Sequence, residues 1–376
     1  MTERNGISNL TIDLDALAAN YHQIVKNVNH GRVMPILKAD AYGHGLVPCA
    51  LRLEKEGAKI VGVAFLEEAL ELRENGFKAS ILPLGGLCGE QIGKFIKNDI
   101  DMCASSVMKL KAIDKTARQL NKRAKIHLKI DTGLGRIGQS YLTAENLLNQ
   151  IDHCKNCDLV SIFSHLACPE DPSQSFSKVQ LERFQRSLLT FCQKRKEKPI
   201  LHMACSGAIL GYKESHLDLV RPGLILFGVY PEGFENHPIS LTPVLSLHSQ
   251  VVFFKVIPPG MGVSYGLTWQ SEKETRIITL PIGYGDGLSR RLSHKGRVLV
   301  RHSSYPIVGR ICMDQLIVDL GPQGEAYNGD SVTIIGGNGP SRISIEEMAR
   351  MTEEDPRDLL LRLSLRLNRR YIDNYL

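Results

Sequence analysis

The chain has 376 residues, 43% of them hydrophobic and 23% charged, with a formal net charge of +6. This length suits a large α/β domain with a smaller partner domain, and the scattered placement of the basic residues argues against nucleic acid as a partner. No apolar run is long enough to cross a bilayer, and the polar start lacks the apolar stretch of a signal peptide, so we expect no membrane partner and a cytoplasmic location.

The first part of the chain alternates short apolar runs with helical patterns. Asp13 can cap a helix whose apolar stripe begins at Leu14. The runs that follow are short, rich in Ile, Val and Leu, and not alternating, which is typical of buried parallel strands. They span 34–37, 60–65, 81–84, 100–104, 126–130, 159–163, 200–204 and 219–227.

Helical patterns fall between these runs, for example over 66–75, just before Gly76, and over 179–195. Eight successive strand-then-helix units predict an α/β fold with a (β/α)8 barrel of the TIM type. A doubly wound open sheet is the alternative, because periodicity alone does not show that a sheet closes.

The pattern changes after about residue 231. Strand-like segments separated by Gly- and Pro-containing turns predict a β-rich region, followed by a helix over 345–351 and an Arg-rich helix over 357–371. We therefore divide the chain into an α/β barrel over 1–235 and a C-terminal, mainly β domain over 236–376. The predicted strands span 244–256, 276–282, 298–301, 307–314, 316–320 and 331–335.

The nine cysteines are an odd number at irregular spacing, which favours reduced thiols over disulfides. Cys154 and Cys157 form a C-x-x-C pair. No second ligand pair stands at a convincing spacing, so we interpret the pair as incidental and predict no metal site.

Reactive side chains recur at the ends of the predicted strands. Lys38, Arg136, His165 and Ser206 each follow an apolar run, and Arg221 lies within the last one. In a barrel the carboxyl ends of the strands form one rim, and that rim carries the active site. These five side chains are therefore predicted to meet at one mouth.

The segment after the first run reads KADAYGHG over 38–45. An aldehyde cofactor needs an amine that is neutral near neutral pH, and burial at a barrel mouth lowers the pKa of a lysine such as Lys38. The Tyr42 hydroxyl can bind a phosphate oxygen, and Gly43 and Gly45 permit a sharp turn. These residue types fit an aldehyde cofactor that carries a phosphate.

This segment resembles the pyridoxal 5'-phosphate (PLP) attachment motif of the alanine racemases, and the resemblance extends over nearly the whole chain. In that family an eight-stranded α/β barrel is followed by a β-rich domain, which agrees with the pattern above. The further motifs that carry the resemblance are KIDTGLGRIG (129–138), FSHLA (163–167), VRPG (220–223), VSYG (263–266), GYGDG (283–287) and GRICMDQ (309–315).

The resemblance implies PLP as the cofactor, joined to Lys38 as a Schiff base. It implies that His165 packs on the pyridine ring, that Arg221 faces the pyridine nitrogen and that Arg136 contacts the hydroxyl side of the ring. The groups implied to hold the phosphate are Tyr42, Ser206 and the backbone amides of Gly223 and Leu224.

The resemblance also implies a two-base racemisation, in which Lys38 handles the D-alanine proton and Tyr265 the L-alanine proton. Arg136, Met313 and Tyr284 are implied to bind the substrate. Tyr265 and Met313 would come from the second subunit of a homodimer with shared active sites. The implied activity is the interconversion of L- and D-alanine, which supplies D-alanine for cell-wall peptidoglycan.

Two positions leave finer points open. Where the family commonly has a tyrosine near the chain end, this chain has Arg357. That change alters the size and polarity of the pocket, so a serine or broad-specificity amino-acid racemase is an alternative. Lys129 matches a lysine that is often carbamylated in the family, and the resemblance is compatible with either a carbamate or a free amine at this position.

Two further alternatives share the fold but not the activity. A PLP decarboxylase usually places an acid at the pyridine nitrogen and a Cys-Asp pair in its β domain, where this chain has Arg221 and Met313-Asp314. A non-catalytic PLP carrier tends to be a barrel alone. The β region that includes Tyr265 argues against a carrier.

Overall fold

The computed structural model describes residues 6–28, 31–301, 303–337 and 341–374, so the polar start over 1–5 lies outside it. None of the described helices combines the length and apolar character needed to span a membrane. The helices are α1 (Leu14–Asn27), α2 (Lys38–Gly43), α3 (Leu46–Lys55), α4 (Leu66–Glu74), α5 (Ile92–Lys97), α6 (Val107–Gln119), α7 (Ala144–Ile151), α8 (Ser175–Gln193), α9 (Ser206–Gly211), α10 (Ile345–Thr352) and α11 (Pro356–Arg362). The strands are β1 (Asn9–Asp13), β2 (Ile60–Val63), β3 (Ser80–Pro83), β4 (Met102–Ala104), β5 (Ala124–Asp131), β6 (Gln139–Ser140), β7 (Cys157–Phe163), β8 (Ile200–Cys205), β9 (Leu219–Arg221), β10 (Leu245–Gln250), β11 (Phe253–Ile257), β12 (Gly262–Val263), β13 (Trp269–Gln270), β14 (Thr275–Leu280), β15 (Arg297–Val300), β16 (Ser303–Val308), β17 (Leu316–Gly321), β18 (Ser331–Ile335) and β19 (Asn368–Ile372).

Parallel strands between residues 33 and 221 close into a barrel. β2 pairs with β3, while β4, β5, β7, β8 and β9 pair in that order. The Asp101 amide donates to the Ile81 carbonyl oxygen at 3.0 Å and so joins the start of β4 to β3. The segment 33–36 is the eighth member, because it bridges to β9 on one side and to β2 on the other. The barrel prediction is confirmed, and the open-sheet alternative is wrong.

Helix α1 forms where the sequence predicts it. The Asp13 carboxylate accepts a hydrogen bond from the Ala16 amide at 2.9 Å, which caps the helix. Leu17 and Ile24 are fully buried, and burial of each such side chain stabilises the fold by about 2 kcal/mol. The helix contacts α3 and the turn Leu224–Phe227 that follows β9, so it supports the rim of the barrel.

Unlike the other helices, the segment α2 (Lys38–Gly43) is a left-handed turn. Residues 39–42 have φ between 52° and 55°, a conformation that costs L-residues about 1–2 kcal/mol each. Glu68 Oε1 holds the turn by accepting a hydrogen bond from the Ala39 amide at 2.6 Å. At its end Gly43 has a φ of +81°, and a Cβ there would lie 2.9 Å from a carbonyl oxygen of α11. Strained backbone is thus concentrated beside Lys38.

A nine-stranded mixed sheet dominates the second half, in the order β11-β14-β17-β16-β15-β18-β10-β1-β19. β1 pairs antiparallel with β10 and parallel with β19, so the first and last strands of the described chain are neighbours. β12 and β13 form a separate two-stranded sheet. The N-terminal strand therefore lies in the sheet of the β-rich region, although it precedes the barrel in sequence.

Several predicted elements are wrong in type or length. The Arg-rich helix predicted over 357–371 is wrong, because α11 ends early and β19 follows it as a strand paired with β1. The run over 219–227 is a strand only as far as Arg221 and then forms a short 3-10 turn. The strand predicted over 307–314 stops at β16, since the chain turns at Gly309, whose φ is +69°.

Candidate active site

The rim of the barrel opens into a pocket of about 700 Å³. It lies at the carboxyl ends of the strands, where the active site was predicted. Lys129 and Arg357 contribute to its lining. The structure also brings together there eight residues singled out from the sequence, namely Lys38, Tyr42, Arg136, His165, Ser206, Arg221, Gly223 and Leu224.

Lys38 reaches the pocket from the left-handed turn, and its side chain is open to solvent there. The pocket walls nevertheless desolvate the amine, and the positive charges of Arg136 and Arg357 add to this effect, so the pKa of Lys38 lies below its usual value. A larger neutral fraction at neutral pH makes this amine a better nucleophile and base than an ordinary surface lysine.

Two buried hydroxyls and a turn of backbone form a cradle in the same pocket. Ser206 Oγ accepts a hydrogen bond from the Gly223 amide at 3.0 Å. The Tyr42 hydroxyl lies so close to Gly223 that a Cβ would not fit there. Burial raises the pKa of Tyr42 to about 12, so its hydroxyl stays protonated and can donate. With the Arg357 guanidinium on the same wall, this cradle suits an anion such as phosphate.

Arg221 lines the pocket and is 3% exposed. Its guanidinium donates to the carbonyl oxygens of Ser164 and Met203 at 2.7 and 3.0 Å, and to the Nδ1 atoms of His202 and His165 at 2.6 and 3.1 Å. A guanidinium has no acceptor, so both Nδ1 atoms must carry a lone pair. Burial lowers the pKa of Arg221 to about 10, which still leaves it charged at neutral pH.

Positive charge dominates the interior of the pocket. Burial, together with the charges of Arg221 and Arg136, lowers the pKa of Lys129 to about 8. Burial and the Arg221 charge also lower the pKa of His165 well below its usual value, so that imidazole is neutral. Such a cluster of cations in a half-enclosed cavity attracts small anions, for example a phosphate or a carboxylate.

Tyr265, Tyr284 and Met313 do not line this pocket. They are exposed, with 71%, 37% and 53% of their surface accessible. The Gly285 amide, next to Tyr284, donates to the Met313 carbonyl oxygen at 2.8 Å. The Ser264 hydroxyl, next to Tyr265 in the sequence, donates to a backbone carbonyl oxygen in the loop that leads to Met313. The three residues therefore share one exposed surface of the β-rich region, which we call the tyrosine patch.

Arg357 reaches the pocket from α11. Its guanidinium makes two hydrogen bonds to the Asp355 carboxylate at 2.7 and 2.5 Å, and the same carboxylate caps the helix. The paired guanidinium holds the pKa of Asp355 below its usual value. Arg357 is thus a fixed, charged part of the pocket wall at the position where the resemblance implies a tyrosine.

Two residues that support the site were not predicted from the sequence. Glu68 holds the turn beside Lys38, and nothing in its helical segment distinguishes it from a surface glutamate. His202 accepts a hydrogen bond from Arg221. The sequence signal that could have pointed to His202 is its position as a polar histidine inside the apolar run 200–204.

The fold and the pocket together define a class of protein. It is a (β/α)8 barrel with a desolvated lysine, an anion cradle and a buried arginine at its rim, followed by a β-rich region. Across the described ranges, no group of three or more His, Cys, Asp or Glu side chains is placed to hold a metal ion.

Comparisons with known proteins identify the family. The alanine racemase N-terminal domain matches residues 12–231, and the alanine racemase C-terminal domain matches residues 244–371. Alanine racemase 1 of Caldanaerobacter subterraneus subsp. tengcongensis is 38% identical over 360 residues, which cover 95% of this chain and 93% of that protein. The chain therefore belongs to the alanine racemase family.

Solved structures agree with this assignment. Alanine racemase from the D-cycloserine-producing Streptomyces lavendulae matches with a TM-score of 0.93 and 33% identity, covering 99% of this chain and 98% of that one. Alanine racemase from Bartonella henselae, solved with covalently bound pyridoxal phosphate, matches with a TM-score of 0.87 and 30% identity, covering 98% and 100%. The family resemblance and the fold that it implied are confirmed.

Proposed function

We propose that this protein is a PLP-dependent racemase that interconverts L- and D-alanine. The observation that carries the proposal is the Lys38 amine, whose pKa is lowered and which opens into a pocket with an anion cradle and the Arg221 guanidinium. Membership in the alanine racemase family supports the same activity. The D-alanine would serve cell-wall peptidoglycan.

The residues of the pocket fit PLP. The cradle offers hydroxyl and backbone donors to a phosphate, and a side chain at Gly223 would close it. When bound, PLP withdraws electrons from the Cα of the amino acid and makes its proton removable. The residues that would hold the cofactor are Lys38, Tyr42, Arg136, His165, Ser206, Arg221, Gly223 and Leu224.

Arg221 would face the ring nitrogen. Because a guanidinium donates hydrogen bonds and accepts none, Arg221 would leave that nitrogen unprotonated, unlike a carboxylate in the same place. The weaker electron withdrawal that results limits side reactions such as transamination. An arginine at this position also disfavours the decarboxylase alternative, which usually has an acid there.

Racemisation requires a proton to leave one face of Cα and another to return on the opposite face, which two opposed groups achieve without moving. Lys38 would transfer the Cα proton of D-alanine, and Tyr265 would transfer that of L-alanine. Since the tyrosine patch lies outside the pocket of its own chain, we propose a homodimer in which each subunit completes the site of the other. Arg136 of one subunit, with Tyr284 and Met313 of the partner subunit, would bind the substrate.

Chiral chromatography of L-alanine incubated with the protein and PLP tests the proposal, and both enantiomers should approach equal amounts. In Tyr265→Phe, racemisation should fall by about 100-fold or more, because one proton-transfer group is lost. Visible absorbance of the bound cofactor should persist. Tyr327→Phe removes a hydroxyl that is also exposed on the β-rich region and should leave the rate unchanged. Full racemase activity in Tyr265→Phe would refute the two-base scheme.

Arg357 supports a second candidate, a racemase of serine or of several amino acids. Its charge, fixed by Asp355, gives the pocket a polar wall that the methyl group of alanine does not need. Enantiomer ratios from L-serine and other L-amino acids, measured beside L-alanine, separate the two candidates. Arg357→Tyr should shift the preference towards alanine, and an unchanged preference would show that Arg357 does not set it.

The division into a barrel over 1–235 and a mainly β domain over 236–376 stays our proposal, as does a cytoplasmic location. The last barrel strand is β9, and β10 is the first strand of the nine-stranded sheet to follow it. Limited proteolysis that cuts between these two strands would support the proposed division.

A further inference from the structure

A chain of hydrogen bonds runs through the interior of the barrel, away from the pocket. The guanidinium of Arg221 contacts Nδ1 of His202 at 2.6 Å, and Nε2 of His202 contacts the Ser161 hydroxyl at 2.8 Å. The same hydroxyl contacts Nδ1 of His127 at 2.6 Å, and Nε2 of His127 contacts the Asp101 carboxylate at 3.0 Å. All five side chains are at most 3% exposed.

The members of this hydrogen-bond chain come from neighbouring strands. Arg221, His202, Ser161 and His127 lie on β9, β8, β7 and β5, which pair in that order. Asp101 lies just before β4, at the end of the barrel opposite the rim. The chain therefore links the floor of the pocket to a carboxylate at the far end of the barrel. The ring of His202 also stacks on Phe163 at 4.9 Å, which fixes its plane.

The chemistry of its two ends gives this chain of hydrogen bonds one direction of donation, from Arg221 towards Asp101. Arg221 only donates, so Nδ1 of His202 accepts and the proton of that ring sits on Nε2. His202 then donates to Ser161, and the Ser161 hydroxyl donates to Nδ1 of His127. The proton of His127 sits on Nε2 and is donated to Asp101. In this arrangement every ring nitrogen and the hydroxyl are satisfied.

A doubly protonated His127 would break the pattern. Its Nδ1 would donate to Ser161, which already receives a proton from His202. The Ser161 hydroxyl hydrogen would then lose the acceptor that the chain gives it, in a region where an unmade hydrogen bond is costly. The neutral ring with its proton on Nε2 is the form that fits.

Burying the Asp101 carboxylate at this position costs free energy. It is 1% exposed, and its Oδ1 atom has no hydrogen-bond partner among the described residues. A buried carboxylate is retained only where it is compensated or used. Its hydrogen bond from His127 is the contact that gives the chain an acceptor at the far end.

We propose that Asp101 is a positioning residue that sets the direction of this chain, so that His202 presents an acceptor to Arg221. If the chain ran the other way, a proton on Nδ1 of His202 would face a guanidinium N–H, and the two donors would repel each other. Arg221 would then move from its place in the pocket. The consequence for racemisation rests on the proposed function, whereas the arrangement of protons does not.

Nitrogen-15 NMR of histidine-labelled, cofactor-free protein tests the arrangement directly. His127 and His202 should each be neutral with the proton on Nε2, and His127→Gln and His202→Asn assign their signals. In Asp101→Leu the His127 ring loses its acceptor, so the hydrogen-bond chain should reverse: Ser161 then donates to Nε2 of His202, and the proton of each ring moves to Nδ1. Asp218→Leu removes a carboxylate that accepts from the Leu201 amide at the start of β8, and it should leave both rings unchanged.

Kinetics with PLP and alanine then measure the effect on the site. Asp101→Leu should lower kcat about tenfold, the scale of one weakened hydrogen bond to a charged group, with KM for alanine nearly unchanged because Asp101 does not touch the substrate. Ser161→Ala breaks the chain between the histidines. It should lower kcat similarly while His127 keeps its proton on Nε2, and it serves as the second test if Asp101→Leu does not fold.

Three results would overturn the proposal. One is a doubly protonated His127, or one with its proton on Nδ1, in the unaltered protein. Another is an Asp101→Leu variant in which His127 keeps its proton on Nε2. The third is full kcat in both Asp101→Leu and Ser161→Ala. If the unaltered protein racemises nothing, the proposed function fails, but the NMR result still decides the arrangement of protons.

Discussion

In the proposed site, Arg221 would bring a positive charge to the ring nitrogen, where many PLP enzymes carry an acid. We predict that Arg221→Glu turns part of the racemase activity into transamination, since a carboxylate can keep the ring nitrogen protonated and strengthen electron withdrawal. The measurement is the keto acid released from alanine, relative to the racemised product. Arg221→Lys keeps the charge and should release far less.

Arg221 also binds two carbonyl oxygens, which a carboxylate would repel. Thermal unfolding of the variants must therefore accompany the assay. An unchanged ratio of keto acid to racemised product in folded Arg221→Glu would refute the assigned role of the charge.

Lys129 is a second residue whose state can be predicted from its surroundings. With a pKa of about 8, about one amine in ten is neutral at pH 7, far more than for an ordinary lysine. A neutral amine reacts with carbon dioxide, and the resulting negative charge would lie among Arg136, Arg221 and Lys38. We therefore predict a carbamate on Lys129.

Carbon-13 NMR in labelled bicarbonate should show the carbamate as one protein-bound signal. The signal should weaken as the pH falls below 8, because the amine becomes protonated. Lys129→Ala should abolish it, whereas Lys125→Ala, at a partly exposed lysine of the same strand, should not. No signal from the unaltered protein at pH 8 would contradict the prediction.

Single residues at the rim were predictable because a parallel barrel places every strand end on one side. Lys38, His165 and Ser206 could be found in this way, each from its own strand. Asp101 and Glu68 could not, because their roles depend on partners 26 and 29 residues away. Which strands become neighbours is decided by closure of the barrel, and local sequence does not contain that information.

At the scale of elements, the left-handed turn is the part most specific to this site. We predict that Gly43→Ala destabilises the protein by about 2–4 kcal/mol, because positive φ and close backbone both oppose a Cβ there. Gly76→Ala isolates the cost of backbone conformation. It has a similar φ, +87° against +81°, with nothing within 4 Å of a Cβ, so it should cost about 1 kcal/mol.

Urea unfolding gives the two free energies, and racemase activity gives the effect on the site. Gly43→Ala should also slow racemisation, since the turn carries Lys38. Equal destabilisation in the two variants would mean that the contact with α11 does not constrain the turn.

The elements that sequence patterns missed are those that depend on distant pairing. β19 has a residue pattern that also fits an Arg-rich helix, and only its pairing with β1, at the other end of the chain, makes it a strand. A sharp turn was predicted only at Gly43 and Gly45. The left-handed conformation of residues 39–42 was not predicted, because a left-handed run of non-glycine residues contradicts local preference. Helix α1 was predicted well, since its cap and apolar stripe are local.

For the whole molecule, the β-rich region and the barrel are joined at the active site itself. Nε of Arg369, on β19, donates to the Gly43 carbonyl oxygen at 3.0 Å, and α11 contacts the same turn. The tyrosine patch belongs to this region as well, yet it lies outside its own pocket. Only a second copy of the chain would bring the patch to a barrel rim under the two-base proposal.

Complementation between two inactive variants tests that assembly. Under the proposed assembly, Lys38→Ala would damage the barrel side of a site, and Tyr265→Phe would damage the side supplied by the partner. Each homodimer carries the same defect in both sites. A mixed dimer, isolated after co-expression with two different tags, has both defects in one site and neither in the other. Its activity should therefore recover to about half that of the unaltered dimer.

A matched pair separates shared sites from general rescue by a second subunit. Lys38→Ala and Arg136→Ala both damage the barrel side, so each site of their mixed dimer keeps one defect and activity should stay at the level of the single variants. If the Lys38→Ala and Tyr265→Phe mixture is equally inactive, the tyrosine patch does not serve a neighbouring pocket. The base opposite Lys38 would then have to come from within the same chain.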